Sequence, residues 1–295
     1  MIVVTTPTGH IGSQVVQELL GANAAVRVIA RDPARIAPAV REKAEVVQGS
    51  SDDEGVLMSA LEGAESFFLV VPPSFRMTDV MEHYLRFTRS ACRAIQKQGV
   101  KRVVTVSGLG RGVDVKAGPV TASFAKDEEI ERTGVDCRAL WCPGFMENML
   151  RQVEPLRREG VFFATSRGDL KSPQVATRDI AASAARLLLD RSWAGRGGVA
   201  VLGPEDLSYD GMAEIMSDAL GRTIRFQRVT IDAYRAQMIQ IGASAAVAEA
   251  LIEMFIAKDD GLDTREPRTS ENTTPTSFRQ WCEEVLKPAI REEKQ

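Results

Sequence analysis

The 295-residue sequence predicts a doubly wound parallel α/β sheet followed by a smaller mixed α/β lobe. Three observations predict it. The chain opens on an apolar β-run at residues 2–5 that passes through a tight turn into a helix carrying Gly9 and Gly12. Up to residue 142, short β-branched runs alternate with amphipathic helical stretches, the pattern of a parallel sheet covered on both faces. After Pro143 that rhythm loosens.

Strands are expected at residues 2–5, 25–30, 44–48, 66–71, 102–107 and 137–141, each bounded by Gly, Pro, Asp or charged turns. Helices are expected at 11–20, 54–61, 78–98 and 122–132, where apolar residues recur at three- and four-residue spacing. The second half predicts an extended piece at 161–164, a helix at 177–189 and a strand at 199–202. Helices follow at 209–220, 231–241 and 245–256. Residues 266–276, rich in Thr, Ser, Asn and Pro, read as a surface loop before a last helix at 277–286. The division expected is a dinucleotide-binding domain over residues 1–150 and a smaller substrate lobe over 151–295, interleaved with the first.

The opening turn has a physical purpose. A strand delivers the chain to it, glycine lets backbone approach a pyrophosphate, and the following helix aims unpaired N–H groups and its positive end at the negative charge. A full G-x-x-G-x-x-G would put glycine at position 6, where this chain has Thr6.

Bulk properties narrow the classes. The net charge of −3 argues against nucleic acid or an anionic membrane as main partner. Apolar runs are too short to span a bilayer, so a cytoplasmic protein is expected. Cys92, Cys137, Cys142 and Cys282 lack paired C-x-x-C spacing, so no metal site is expected and the thiols should be reduced and mostly buried.

The remaining signals lie at strand ends, where such sheets bind ligands. Arg31 occupies the position where an NAD-specific fold places an acid on the ribose 2′-hydroxyl. A guanidinium there suits a 2′-phosphate and predicts NADP, while a shift of one residue would bring in Asp32 and predict NAD; an Arg-Asp-Pro turn with no cofactor contact is the other reading. Asp52 can face the adenine edge or cap the next helix. Val71 and Pro72 should lie beside the ribose and nicotinamide half, with Ser107 at the end of the fifth strand.

Lys126 follows as a candidate catalytic residue, expected near a helix N-terminus and either bonded to the nicotinamide ribose or paired with Glu129. The Tyr-x-x-x-Lys acid of the short-chain dehydrogenases is absent: Ala122 precedes Lys126 by four, and Tyr84, Tyr209 and Tyr234 are followed four on by Thr88, Ala213 and Met238.

Taken in order, residues 5–12 (TTPTGHIG), 31–33 (RDP), 69–73 (LVVPP), 103–107, Lys126 with Glu131 and Gly134, 143–148 (PGFMEN), 177–181 (TRDIA) and 202–208 (LGPEDLS) resemble the NmrA-like branch of the atypical short-chain dehydrogenases over nearly the whole chain. That branch includes NADPH-dependent quinone reductases, triphenylmethane reductase, isoflavone-type reductases and cofactor-sensing regulators. The resemblance implies an NAD(P)-binding Rossmann fold and NADP(H) held by Thr8, Gly9, His10, Ile11, Gly12 and Arg31, with Lys126 near the ribose. The full set of expected cofactor contacts adds Thr6, Asp52, Val71, Pro72, Ser107, Pro143 and Phe145. NADP(H) is preferred and NAD(H) possible.

Two classes of function follow. One is a reductase that passes hydride to a flat conjugated acceptor such as a quinone, with proton delivery from water or through Lys126. Its substrate residues are Pro73, Phe75, Phe145 and Met149, alongside Met77 and Met146, with Phe162 and Phe163 as a lid. A variant of it has Lys126 as general base on an isoflavone-like or benzylic ether. The other class is a non-catalytic NADP(H) sensor that binds a protein partner.

Overall fold

The computed structural model describes residues 1–291. In chain order the first part runs β1 (Ile2–Val4), α1 (His10–Gly21), β2 (Val26–Ala30), α2 (Pro38–Arg41), β3 (Glu45–Gln48), α3 (Glu54–Ala60), β4 (Ser66–Leu69), α4 (Val80–Gln98), β5 (Arg102–Gly108), α5 (Pro119–Arg132) and β6 (Asp136–Cys142). It continues with β7 (Gly144–Phe145), α6 (Val153–Glu159), β8 (Val161–Ala164), β9 (Ser172–Val175), α7 (Thr177–Leu189), β10 (Arg196–Ala200), β11 (Asp206–Leu207), α8 (Tyr209–Leu220), β12 (Arg225–Arg228), α9 (Ile231–Gln240), α10 (Ala245–Asp259), α11 (Phe278–Trp281) and α12 (Lys287–Arg291).

The chain forms two compact units that exchange segments. The first holds residues 1–108, 119–141 and 180–199, and the second holds 109–118, 142–179 and 200–291. The chain thus changes unit at Cys142 and returns for residues 180–199, a finer interleaving than a boundary at residue 150 conveys.

The first unit is built on a seven-stranded sheet of order β10-β6-β5-β4-β1-β2-β3, the doubly wound class expected. β1 pairs in parallel with both β2 and β4, so the strand order reverses there. The strands are fully apolar where the sheet is covered on both faces: Val3, Val4, Phe67, Phe68, Leu69, Val103 and Val104 have no exposed surface. One face packs Leu57, Leu61, Ala91, Ile95 and Ile130 of the helices against Phe67 and Val103.

The second unit carries a three-stranded sheet, β11-β9-β7, and a parallel two-stranded ladder, β12-β8. Its core joins Met146, Met149, Phe162, Met212, Met216, Phe278 and Trp281. All four cysteines are buried free thiols. Burial pushes Cys92, Cys137 and Cys282 up to about 12, and Cys142 is raised further by the same cause. No described helix is long and apolar enough to cross a membrane.

Candidate functional site

Because strand order reverses at β1, the chain leaving the carboxyl ends of β1 and β4 diverges and leaves a crevice between them. A cleft of about 970 Å³ lies there in the first unit. It is lined by residues 6–9 after β1, 29–32 and Arg35 at β2, 49–52 after β3, 72–74 and 76–79 after β4, and Glu82, His83, Arg86 and Phe87 of α4.

The first turn explains the missing glycine. Thr6 has φ 50°, a left-handed conformation that suits glycine and is strained for a β-branched residue. Its carbonyl accepts from the Gly9 N–H at 3.0 Å and also lies against the start of α1. A Cβ on Gly12 would meet that carbonyl oxygen at 2.2 Å, so glycine at 12 is required by the fold itself. A Cβ on Gly9 would stand 3.4 Å from the same oxygen, which the protein alone tolerates. The N-terminus of α1 has no side-chain cap, whereas Asp53, Asp79, Ser208, Thr230 and Ser244 cap α3, α4, α8, α9 and α10. The first-turn N–H groups of α1 are therefore suited to a phosphate.

Thr5, which sequence reasoning passed over, ties the two strand ends together. Its hydroxyl donates to the Phe68 carbonyl at 3.1 Å and accepts from the Val70 N–H at 2.9 Å. His83 holds the next turn by donating from Nε2 to the Pro72 carbonyl at 2.9 Å. β4 stops at Leu69, so Val71 lies beyond the strand, buried, while Pro72 and Pro73 line the cleft.

On the other side, Asp32 accepts from the Ala34 N–H at 3.0 Å and caps the short turn Pro33–Arg35. Arg31 and Arg35 both line the cleft, exposed and without a hydrogen-bond or ion-pair partner among the described residues. Arg35 was missed; its signal is a second arginine four positions after Arg31 across a proline-initiated turn. The cap of α3 is Asp53, bonded to the Val56 N–H at 3.0 Å, rather than Asp52. Asp52 instead lines the cleft, accepts from Ser50 and pairs with Arg86 at 3.0 Å.

Lys126 sits differently from the expectation. α5 begins at Pro119, a favoured first position, so Lys126 lies in the middle of the helix and not near its N-terminus. Glu129 pairs with Arg132 at 2.5 Å. Lys126 is 1% exposed, bonded to Asp127 and donating at 2.6 Å to Thr105, whose hydroxyl reaches the Leu69 carbonyl at 2.9 Å. Asp127 is fully buried with Oδ2 unpartnered. Ser107 donates to Ser123 at 2.8 Å. Neither Lys126 nor Ser107 lines the cleft, and neither do His10, Ile11 and Gly12 of α1. Burial raises Tyr84 and Tyr209 to about 12 and raises Tyr234 as well, so none is a ready proton donor near neutrality.

Pro143, Phe145 and Met149 belong to the second unit. Pro143 is buried, Phe145 pairs with Val175 in the β7–β9 ladder, and Met149 is core. Phe162 is fully buried against Tyr209 and Phe226, so it is packing and not a lid. Phe75, in the first unit, is 41% exposed. Glu147 accepts from the Thr177 N–H at 3.0 Å and the Trp281 indole at 3.2 Å, and Asp179 accepts from the Thr276 N–H at 3.1 Å and its hydroxyl at 2.8 Å.

The NmrA-like family model matches residues 1–282. The chain belongs to the NmrA-like family. Within it the chain is 30% identical over 289 residues to a (4-alkanoyl-5-oxo-2,5-dihydrofuran-3-yl)methyl phosphate reductase of Streptomyces griseus, covering 96% of this chain and 97% of the relative. It is 26% identical over 255 residues to an NAD(P)H azoreductase of Xenophilus azovorans, covering 86% of each. An NADPH-dependent quinone oxidoreductase of Escherichia coli, solved with NADPH, shares the fold with a TM-score of 0.78 and 22% identity over 95% of this chain and 98% of that one.

Proposed function

We propose that this NmrA-like protein is an NADPH-dependent reductase that transfers hydride to a conjugated or aromatic acceptor such as a quinone. The observation that carries the cofactor half is the pair Arg31 and Arg35, two guanidiniums without a partner among the described residues, in the lining of the cleft that also includes the Thr6–Gly9 turn. A guanidinium without a carboxylate partner suits a 2′-phosphate. Asp32, the carboxylate that would suit a ribose diol, already spends Oδ1 on capping its own turn. Relatives named as an azoreductase and a dihydrofuranone phosphate reductase support a conjugated acceptor.

Bound NADPH would supply the hydride. The chain's part is to bind and orient: the Thr6–Gly12 turn and Thr8 toward the pyrophosphate, Arg31 and Arg35 toward the 2′-phosphate, Asp52 toward the adenine, and Val71 and Pro72 toward the nicotinamide half. Pro73 and Phe75 are the proposed substrate contacts, whereas Met149 is buried in the core of the second unit. Lys126, buried, bonded to Asp127 and Thr105 and absent from the cleft lining, is placed to brace α5 against β5 and the end of β4 rather than to act as a base. With no tyrosine acid, an acceptor that spreads negative charge over a delocalised system takes its proton from water.

The test has two parts. NADPH should bind at least about tenfold more tightly than NADH, and Arg31→Ala should remove most of that difference; equal affinities would overturn the cofactor assignment. Purified protein should oxidise NADPH with a quinone panel. Tight NADPH binding without turnover would instead support a sensor with a protein partner, a reading favoured by the sealed Lys126–Asp127 pair.

A further inference from the structure

The second unit holds a cavity of its own, about 420 Å³ in volume, at the carboxyl ends of the parallel strands β8 and β12. Its apolar wall is one face of α10, Ile252, Phe255 and Ile256, faced by Ile231 at the start of α9. Ile231 and Ile256 are respectively 39% and 48% exposed, so the apolar wall is open to an incoming molecule.

The polar groups of this cavity are the informative ones. Thr165 is 7% exposed, and its hydroxyl is buried with no hydrogen-bond partner; Asp259 Oδ1 is in the same condition. Buried polar atoms left unpaired are costly, and two lining one cavity mark a place where a ligand supplies the partner. Asp259 ends α10, where the helix dipole adds to the preference for a cation. Arg228 supplies the opposite charge. Its Nε donates to the Thr165 carbonyl at 2.8 Å, and its terminal nitrogens have no partner among the described residues. The adjoining start of α9 also favours an anion. Asp232, the remaining ionisable lining residue, is already paired with Arg235.

We infer that this cavity binds a small amphoteric molecule with an apolar body, its ammonium on Asp259 and Thr165 and its carboxylate on Arg228. The volume lies in the range of small-ligand sites. The site goes beyond the reductase reading and stands on residues that take no part in the nucleotide cleft.

The experiment is calorimetric titration of the full-length protein with L-phenylalanine, beside phenethylamine, which lacks the carboxylate, and 3-phenylpropanoate, which lacks the ammonium. Phenylalanine should bind about tenfold or more tightly than either, and Asp259→Asn, Thr165→Val and Arg228→Gln should each weaken it severalfold to about tenfold. NADPH affinity should stay unchanged in all three variants, which separates this site from the cofactor cleft. No binding of phenylalanine, equal binding of the single-ended probes, or unchanged affinity in the variants would overturn the inference.

Discussion

The stretches that resemble the family behave oppositely in the two units. In the first, the family-like residues after β1 and β2 line an open cleft and leave capacity unused: Arg31 has no partner among the described residues, and α1 has no side-chain cap. In the second, residues 143–148 and 177–179 are satisfied within the unit, Glu147 by Thr177 and Trp281, and Asp179 by Thr276. One kind of recurrence is about holding a ligand and the other about holding the chain. Unused hydrogen-bonding capacity in a cleft, rather than recurrence itself, distinguishes them.

Substitutions can break that comparison. The largest effect is expected from Glu147→Ala, which strands a backbone N–H and an indole N–H; stability measured by chemical denaturation should fall by about 3 kcal/mol, with NADPH affinity retained in the folded fraction. Gly12→Ala comes next. The added methyl collides with the Thr6 carbonyl, so about 2 kcal/mol of stability should be lost together with NADPH binding, because turn and helix start move as one. Arg31→Ala should do the reverse of Glu147→Ala, weakening NADPH by about 1.5–2 kcal/mol in a titration while leaving the denaturation midpoint unchanged. A shifted midpoint there would blur the distinction. The smallest effect is a gain: Thr6→Gly relieves a left-handed threonine and should stabilise the protein by up to about 1 kcal/mol.

The parallel sheet was readable because its strands are covered on both faces and so carry unbroken apolar centres, as residues 67–69 and 103–104 show. The small ladders were not. β9 (Ser-Pro-Gln-Val) and β12 (Arg-Phe-Gln-Arg) carry little apolar signal, since their partners and not their patterns define them. β10 begins three residues earlier than its apolar end suggests, because Arg196, Gly197 and Gly198 contribute no run. At the site, the turn glycines and Arg31 were legible as types at a spacing. Asp52 was open between the adenine edge and the cap of α3, since adjacent Asp52 and Asp53 carry the same side chain; the backbone puts Asp53 at the cap and Asp52 in the cleft lining. Lys126 was placed by counting back from an apolar pattern that begins at Ala122, although Pro119 marks the true start. Thr5 was invisible, since its value lies in reaching a strand 63 residues away.

The buried thiols bear on the company such a catalyst keeps. Quinones are electrophiles that arylate thiolates, and a reductase meeting them at every turnover risks modifying itself. With Cys92, Cys137 and Cys282 raised to about 12 and Cys142 raised further by burial, the folded chain offers no thiolate near neutrality. The fold thereby removes its thiols as targets for the acceptor class proposed for it, without needing to dispense with cysteine.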